Sequence, residues 1–127
     1  MKKKKTVLLV DDEHDFLDIT AKRLTRRGYH VLTADNCLRA TEELDREPVD
    51  VVVLDVMMPE CDGVDFLKEI KESHPRIGVV LLTGHASIEA GLRSLESGAS
   101  DYLLKPVSLE DLIEKIEILY RDLAEGE

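Results

Sequence analysis

VVVLDVMMPECDG, residues 51–63, decides the fold. Four apolar residues run without alternation into Asp55, and the chain then breaks into Met58-Pro59-Glu60-Cys61-Asp62-Gly63. An unbroken apolar run bounded by turn residues is the pattern of a strand covered on both faces, as in a parallel sheet. A carboxylate that ends such a strand is costly to bury unless something uses it.

Similar short, apolar, β-branched runs occur at 6–10, 29–34, 50–54, 77–82 and 101–104. Between and after them lie longer segments with helical spacing. The first, 14–27, places Leu17, Ala21 and Leu24 on one face, and Gly28 stands where a left-handed cap is expected. The second, 37–46, has Asn36 as its cap and Pro48 as its stop. The third, 64–73, turns Phe66, Leu67 and Ile70 inward and ends before Pro75. In the last, Ser108 and Asp111 resemble a capping box ahead of a stripe of Leu109, Leu112, Ile113, Ile116, Leu119, Tyr120 and Leu123. The remaining helical segment, 87–97, is weak. Gly91 costs it about 1 kcal/mol relative to Ala, and Ile88, Leu92 and Leu95 make a sparse face. Such a marginal helix is either poor design or a mobile element. Strand and helix alternating five times in 127 residues mean a single α/β sandwich with a parallel sheet.

Composition narrows the function. A net charge of -10 argues against nucleic-acid binding by this domain, because phosphate backbones are met with Lys and Arg. The lysines at 2–5 read as a solvated lead-in to the first strand rather than a binding tail. No apolar run approaches the roughly 18 residues of a membrane span. The apolar stretch behind the lysines is too short for a signal-peptide core. Cys37 and Cys61 are far apart and in no metal-type spacing, so a reduced, cytoplasmic protein is expected, with Cys61 an incidental small residue.

In open parallel sheets the functional crevice lies beyond the carboxyl ends of the strands, where the strand order reverses. The residues at those ends are Asp11-Asp12-Glu13, then Asp55, then Thr83-Gly84, then Lys105-Pro106. If the strand order is 2-1-3-4-5, three aspartates, a hydroxyl and a lysine converge. Two carboxylates about 4 Å apart repel by roughly 4 kcal/mol at an effective dielectric near 20. Three together call for a cation, and hard oxygen ligands suit Mg²⁺, which keeps waters and accepts a phosphate oxygen. An ammonium on Lys105 and the Thr83 hydroxyl complete what a phosphoryl group's oxygens want. Asp55, central and outside the acidic run, is the best placed nucleophile for an acyl phosphate.

With these residues in place, the chain resembles the receiver domain of two-component response regulators, the CheY-like family. The resemblance runs from residue 5 to about 123 and is carried by VDDE (10–13), LDVMMPECDG (54–63), LLTGHAS (81–87) and GASDYLLKP (98–106). It implies one receiver domain, 1–127, with a flavodoxin-like doubly wound fold and strand order 2-1-3-4-5. It implies that Asp55 takes a phosphoryl group from the phosphohistidine of a sensor histidine kinase or a phosphotransfer protein. Asp12 and Asp55 would bind Mg²⁺ (or Mn²⁺) directly, Asp11 through water, and Met57 through its backbone carbonyl. Thr83 and Lys105 would hold phosphoryl oxygens, and Thr83 and Tyr102 would form the switch. The resemblance also implies a downstream partner or output domain, and a homodimer after phosphorylation.

Gly84 departs from the alanine frequent in the family but is also small. By the same resemblance, His85 and Met57 match positions that in the family flank the attacking water and tune hydrolysis of the acyl phosphate. His85 reads as an ordinary loop histidine, and His14, His30 and His74 show no ligand pairing. Three other functions fit the residues less well. A Mg²⁺ phosphatase or mutase with an aspartyl nucleophile needs a second acid two residues on, where this chain has Met57. A flavin or nucleotide binder needs a Ser-, Thr- or Gly-rich loop after strand one, and here it is Asp-Asp-Glu. A receiver that is never phosphorylated should lack part of the acid set, and no member of the set is missing.

Overall fold

The structure, a computed structural model, describes residues 5–84, 96 and 98–125. Five parallel strands form the sheet: β1 (Thr6–Val10), β2 (His30–Ala34), β3 (Val51–Asp55), β6 (Gly78–Thr83) and β7 (Asp101–Leu104). Their order is β2-β1-β3-β6-β7. Two short strands, β4 (Met57–Met58) and β5 (Cys61–Asp62), pair antiparallel as a hairpin after β3. Without that hairpin the order is the expected 2-1-3-4-5, a flavodoxin-like doubly wound fold.

Alternating side chains of the strands enter two separate cores, which is why the runs are apolar throughout. Leu8, Val10, Val52, Leu54, Val79 and Leu81 face α2 (Cys37–Arg46) and α3 (Gly63–Ser73), with Ala40, Leu44, Phe66, Leu67 and Ile70. Val7, Leu9, Val51, Val53, Val80 and Leu82 face α1 (His14–Arg26) and the C-terminal helix (Leu109–Glu125), with Leu17, Leu24, Leu112, Ile113 and Ile116. A fully buried side chain such as Leu67 would cost about 2–5 kcal/mol to truncate to Ala.

The helix ends follow their local chemistry. Gly28 takes φ 97°, the left-handed conformation expected after α1. Asn36 Oδ1 accepts from the Arg39 N–H at 2.9 Å and caps α2. Asp62 Oδ1 accepts from Val64 and Asp65 at the start of α3. Of the capping box expected at Ser108, the contact from the Asp111 N–H to Ser108 Oγ is present at 3.4 Å. The weak helical segment 87–97, with Gly91, lies outside the described residues apart from Glu96.

At the amino end of the sheet the Tyr120 hydroxyl reaches Thr6 O at 2.9 Å and Asp50 Oδ2 at 3.0 Å, and Asp50 Oδ2 also accepts from the Thr6 N–H. Burial, then the charge of Asp50 and its hydrogen bond, raise the Tyr120 pKa. That end is stitched by hydrogen bonds, whereas the carboxyl end gathers charge.

The cysteines overturn the expectation of two unpaired thiols. Cys37 and Cys61 are joined by a disulfide with Cα atoms 6.1 Å apart. The reason is topological. Cys37 opens α2 just past the carboxyl end of β2, and Cys61 lies in the hairpin past the carboxyl end of β3. Since α2 and α3 cover the same face, the two positions meet there although they stand 24 positions apart in the chain.

Candidate functional site

β1, β3 and β6 are adjacent central strands, so their last residues are brought side by side and out of water. Asp11 is 1% exposed, Asp55 3% and Thr83 8%. The Asp11 N–H continues the β1–β2 ladder by donating to Ala34 O. Lys105 follows β7, and its N–H donates to Thr83 O at 2.8 Å, which sets the lysine backbone against the end of β6. The Lys105–Pro106 peptide bond is cis.

From there the lysine side chain crosses the crevice. Its Nζ lies 3.0 Å from Asp11 Oδ2, 3.4 Å from Asp55 Oδ2 and 3.4 Å from Glu13 Oε1. The Phe16 ring lies under it, with its centroid 5.7 Å from Nζ. The other oxygens are also engaged. Asp11 Oδ1 accepts from the Glu13 N–H at 2.9 Å, and Asp55 Oδ1 accepts from the Met57 N–H at 3.2 Å.

The negative charge is only partly compensated. Asp11, Asp12 and Asp55 each offer an oxygen within 4.8 Å of the other two, and Asp12 is exposed. Burial and the neighbouring Asp11 charge raise the Asp55 pKa, against the opposing pull of the Met57 N–H and Lys105. Burial would lower Lys105, but the Asp11 hydrogen bond and the charges of Asp11, Asp55 and Glu13 outweigh it and raise that pKa. Three carboxylates around one ammonium, with Asp12 beside Asp11 and Asp55, leave a crevice that favours a further cation. Hard oxygens in this number fit Mg²⁺ or Mn²⁺.

Gly63 explains how the loop can fold so close to the strand end. A Cβ there would sit 2.6 Å from Val56 Cα and 2.9 Å from Asp55 O. The Gly63 N–H donates back to Val56 O at 3.2 Å. Only glycine lets α3 begin against the backbone of Asp55 and Val56, and the hairpin then carries Met57 beside the carboxylate.

A model of the response regulator receiver domain matches residues 7–117. The chain belongs to that family. Among its relatives, the transcriptional regulatory protein ZraR of Klebsiella oxytoca is 39% identical over 106 residues, 84% of this chain and 24% of ZraR. The chain thus spans about a quarter of that relative's length. A CheY-like receiver domain protein from Methanospirillum hungatei JF-1 superposes with TM-score 0.93 at 30% identity, covering 98% of this chain and 100% of the other. The beryllofluoride-activated NtrC4 receiver domain dimer superposes with TM-score 0.87 at 35% identity, covering 93% and 98%.

In this receiver the sequence-derived site residues Asp11, Asp12, Asp55, Thr83 and Lys105 all stand at the carboxyl end of the sheet. Met57 contributes its backbone to the same end, and its side chain is exposed. Tyr102 on β7 is half-buried against the core that also holds Val56, Cys37 and Cys61. His85 lies outside the described residues. His14 and His30 each meet one carboxylate, Asp35 and Glu47, at the surface. Sequence reasoning did not anticipate three features: Glu13 reaching Lys105, Phe16 beneath it, and the close approach at Gly63. The signal for Glu13 was its place at the end of the VDDE run. Phe16 gave none, because it reads as one more apolar residue of α1.

Proposed function

We propose that this receiver is a phosphorylation-controlled interaction module in which Asp55 accepts a phosphoryl group from the phosphohistidine of a sensor histidine kinase or a histidine phosphotransfer protein. The observation that carries this reading is the single ammonium of Lys105 reaching Asp11 and Asp55 at once, at the edge of three convergent carboxylates. An Asp55 carboxylate oxygen attacks phosphorus, and the phosphorus–nitrogen bond of the donor breaks. The imidazole nitrogen keeps the electron pair and takes a proton. The Met57 N–H holds Asp55 Oδ1, which orients the carboxylate for attack. Lys105 moves from carboxylate to phosphoryl oxygen as charge accumulates there, and the Thr83 hydroxyl binds a second oxygen. Mg²⁺ or Mn²⁺, held by Asp12, Asp55 and the Met57 carbonyl with Asp11 through water, would supply positive charge to the same oxygens.

The resulting acyl phosphate hydrolyses, which suits a transient signal. The chain assists both of its own reactions but is a signalling module rather than an enzyme acting on a separate substrate. Thr83 moving toward the phosphoryl group and Tyr102 turning inward are read as the switch. Residues 1–127 are read as one receiver domain working in the cytoplasm, and no helix among the described residues is long and apolar enough to cross a membrane. An output domain, as the length of ZraR suggests, or a separate downstream protein would receive the signal. A homodimer like that of the activated NtrC4 receiver is a further proposed state. With a net charge of -10, this domain itself binds no nucleic acid in this account.

The test is intact-mass measurement after incubation with acetyl phosphate, with Mg²⁺ or with EDTA, on the wild type and Asp55→Asn. One adduct that needs Mg²⁺ and is absent from the variant is expected. An adduct retained in Asp55→Asn would overturn the assignment.

A further inference from the structure

We propose that Cys37 and Cys61 form a reversible thiol–disulfide couple that clamps the loop carrying the Asp55 site. The two residues are bonded in the fold, with Cα atoms 6.1 Å apart, a separation natural to a disulfide. Both are half-buried rather than sealed in the core, so a small disulfide can reach them. Cys37 is the first residue of α2, beside the capping Asn36, and so is anchored by a helix. Cys61 belongs to the hairpin, where it pairs with Met58. The neighbouring Met57 N–H is the donor to Asp55 Oδ1, and Gly63 two residues on abuts the Asp55 carbonyl. The bond therefore adds a covalent tie between the segment that orients Asp55 and α2, whose Ala40 and Leu44 already share a core with Met58 of the hairpin.

The hairpin strands are two residues each and, among the described residues, pair only with each other. A segment with so few ladder bonds opens locally unless it is held elsewhere. In the closed state the disulfide supplies that hold, and in the dithiol state the hairpin relies on two short strands, the buried Met58 side chain and Gly63. The chemistry balances with a low-molecular-weight disulfide as oxidant. One cysteine thiolate attacks the external disulfide, forming a mixed disulfide and expelling one external thiolate. The second cysteine thiolate attacks the protein sulfur of that mixed disulfide, closing Cys37–Cys61 and expelling the other external thiolate. Two protein thiols lose two electrons and two protons, and one external disulfide becomes two thiols. Such transient bonds are the form disulfides take in a reducing compartment.

The test uses the full chain equilibrated at a series of oxidised-to-reduced glutathione ratios, with free thiols then alkylated and counted by mass. The folded protein should lose two alkylation sites together, at a ratio lower by about tenfold or more than in urea, because folding holds the thiols adjacent. Cys37→Ser and Cys61→Ser should each form only a mixed disulfide with glutathione. Amide exchange across residues 56–63 should slow at least about fivefold on oxidation. Two free thiols at every ratio, closure as easy in urea as in the folded state, or exchange unchanged by oxidation would each overturn the clamp. The functional consequence rests on the Asp55 reading. Acetyl phosphate labelling should differ at least about twofold between the two redox forms, and equal rates would overturn that consequence. No adduct in either form would instead sink the Asp55 reading, while the thiol counts and exchange rates still decide the clamp.

Discussion

Replacing Lys105 with Met removes one positive charge from between buried carboxylates while keeping most of the side-chain volume. The distances of 3.0 Å to Asp11 and 3.4 Å to Asp55 correspond to attractions of about 5 kcal/mol each at an effective dielectric near 20. Asp11 and Asp55, whose nearest oxygens lie within 4.8 Å, repel by at least about 3 kcal/mol on the same scale. Most of the attraction is offset by the desolvation of the lysine, so the gross figures are not the net effect. Breaking a buried pair costs about 3–5 kcal/mol, and Lys105 keeps 21% of its side chain in water, which moves the expectation to about 2–3 kcal/mol. Urea unfolding in EDTA should show that loss. Adding Asp55→Asn to the Lys105→Met background should recover part of it, because one of the two uncompensated charges is gone. Mg²⁺ should stabilise Lys105→Met more than the wild type, since the metal no longer competes with the ammonium. A variant within about 0.5 kcal/mol of the wild type in EDTA, or one stabilised less by Mg²⁺, would refute the electrostatic account.

Three further perturbations probe other parts of the fold. Gly63→Ala places a Cβ against backbone atoms that no rotamer change can clear, so a loss of about 2–3 kcal/mol in urea unfolding is expected together with slower acetyl phosphate labelling. Tyr120→Phe removes a hydroxyl that bonds Thr6 O and Asp50 and should cost about 1 kcal/mol at pH 8. Because the folded state raises the Tyr120 pKa, its contribution is fully present below the unfolded value near 10 and is lost as pH rises through the folded value. The wild type should therefore lose urea resistance above about pH 10 more steeply than the variant. Reducing Cys37–Cys61, which closes a loop spanning 24 positions, should lower the unfolding free energy by about 3 kcal/mol, read as a shift in the urea midpoint with and without reductant.

The sheet was legible because its central strands are apolar on both faces. Val52 and Leu54 enter one core and Val51 and Val53 the other, so the whole run had to be hydrophobic. Gly28, Asn36 and Pro75 marked helix ends through local backbone chemistry that needs no tertiary information. The convergence of Asp11, Asp55, Thr83 and Lys105 followed once a parallel sheet was inferred, since such a sheet gathers its strand ends. The Met57–Asp62 hairpin was not legible, because strands of two residues are too short for any period to register. The disulfide was hidden for a different reason: Cys37 and Cys61 stand 24 positions apart with β3 and β4 between them, and only the shared face of α2 and α3 brings them together. Gly63 could be recognised as a loop glycine, but that its missing Cβ accommodates Val56 Cα is a fact of three dimensions.

The most direct test of the central claim is to trap the phosphoryl adduct chemically and locate it in the chain. The protein would be labelled with acetyl phosphate and Mg²⁺, reduced with borohydride, which converts an aspartyl phosphate to homoserine, and mapped by tandem mass spectrometry. Homoserine at position 55 and at no other acidic residue is the predicted result. Homoserine at Asp11, Asp12 or another acidic residue, with Asp55 intact, would contradict the account.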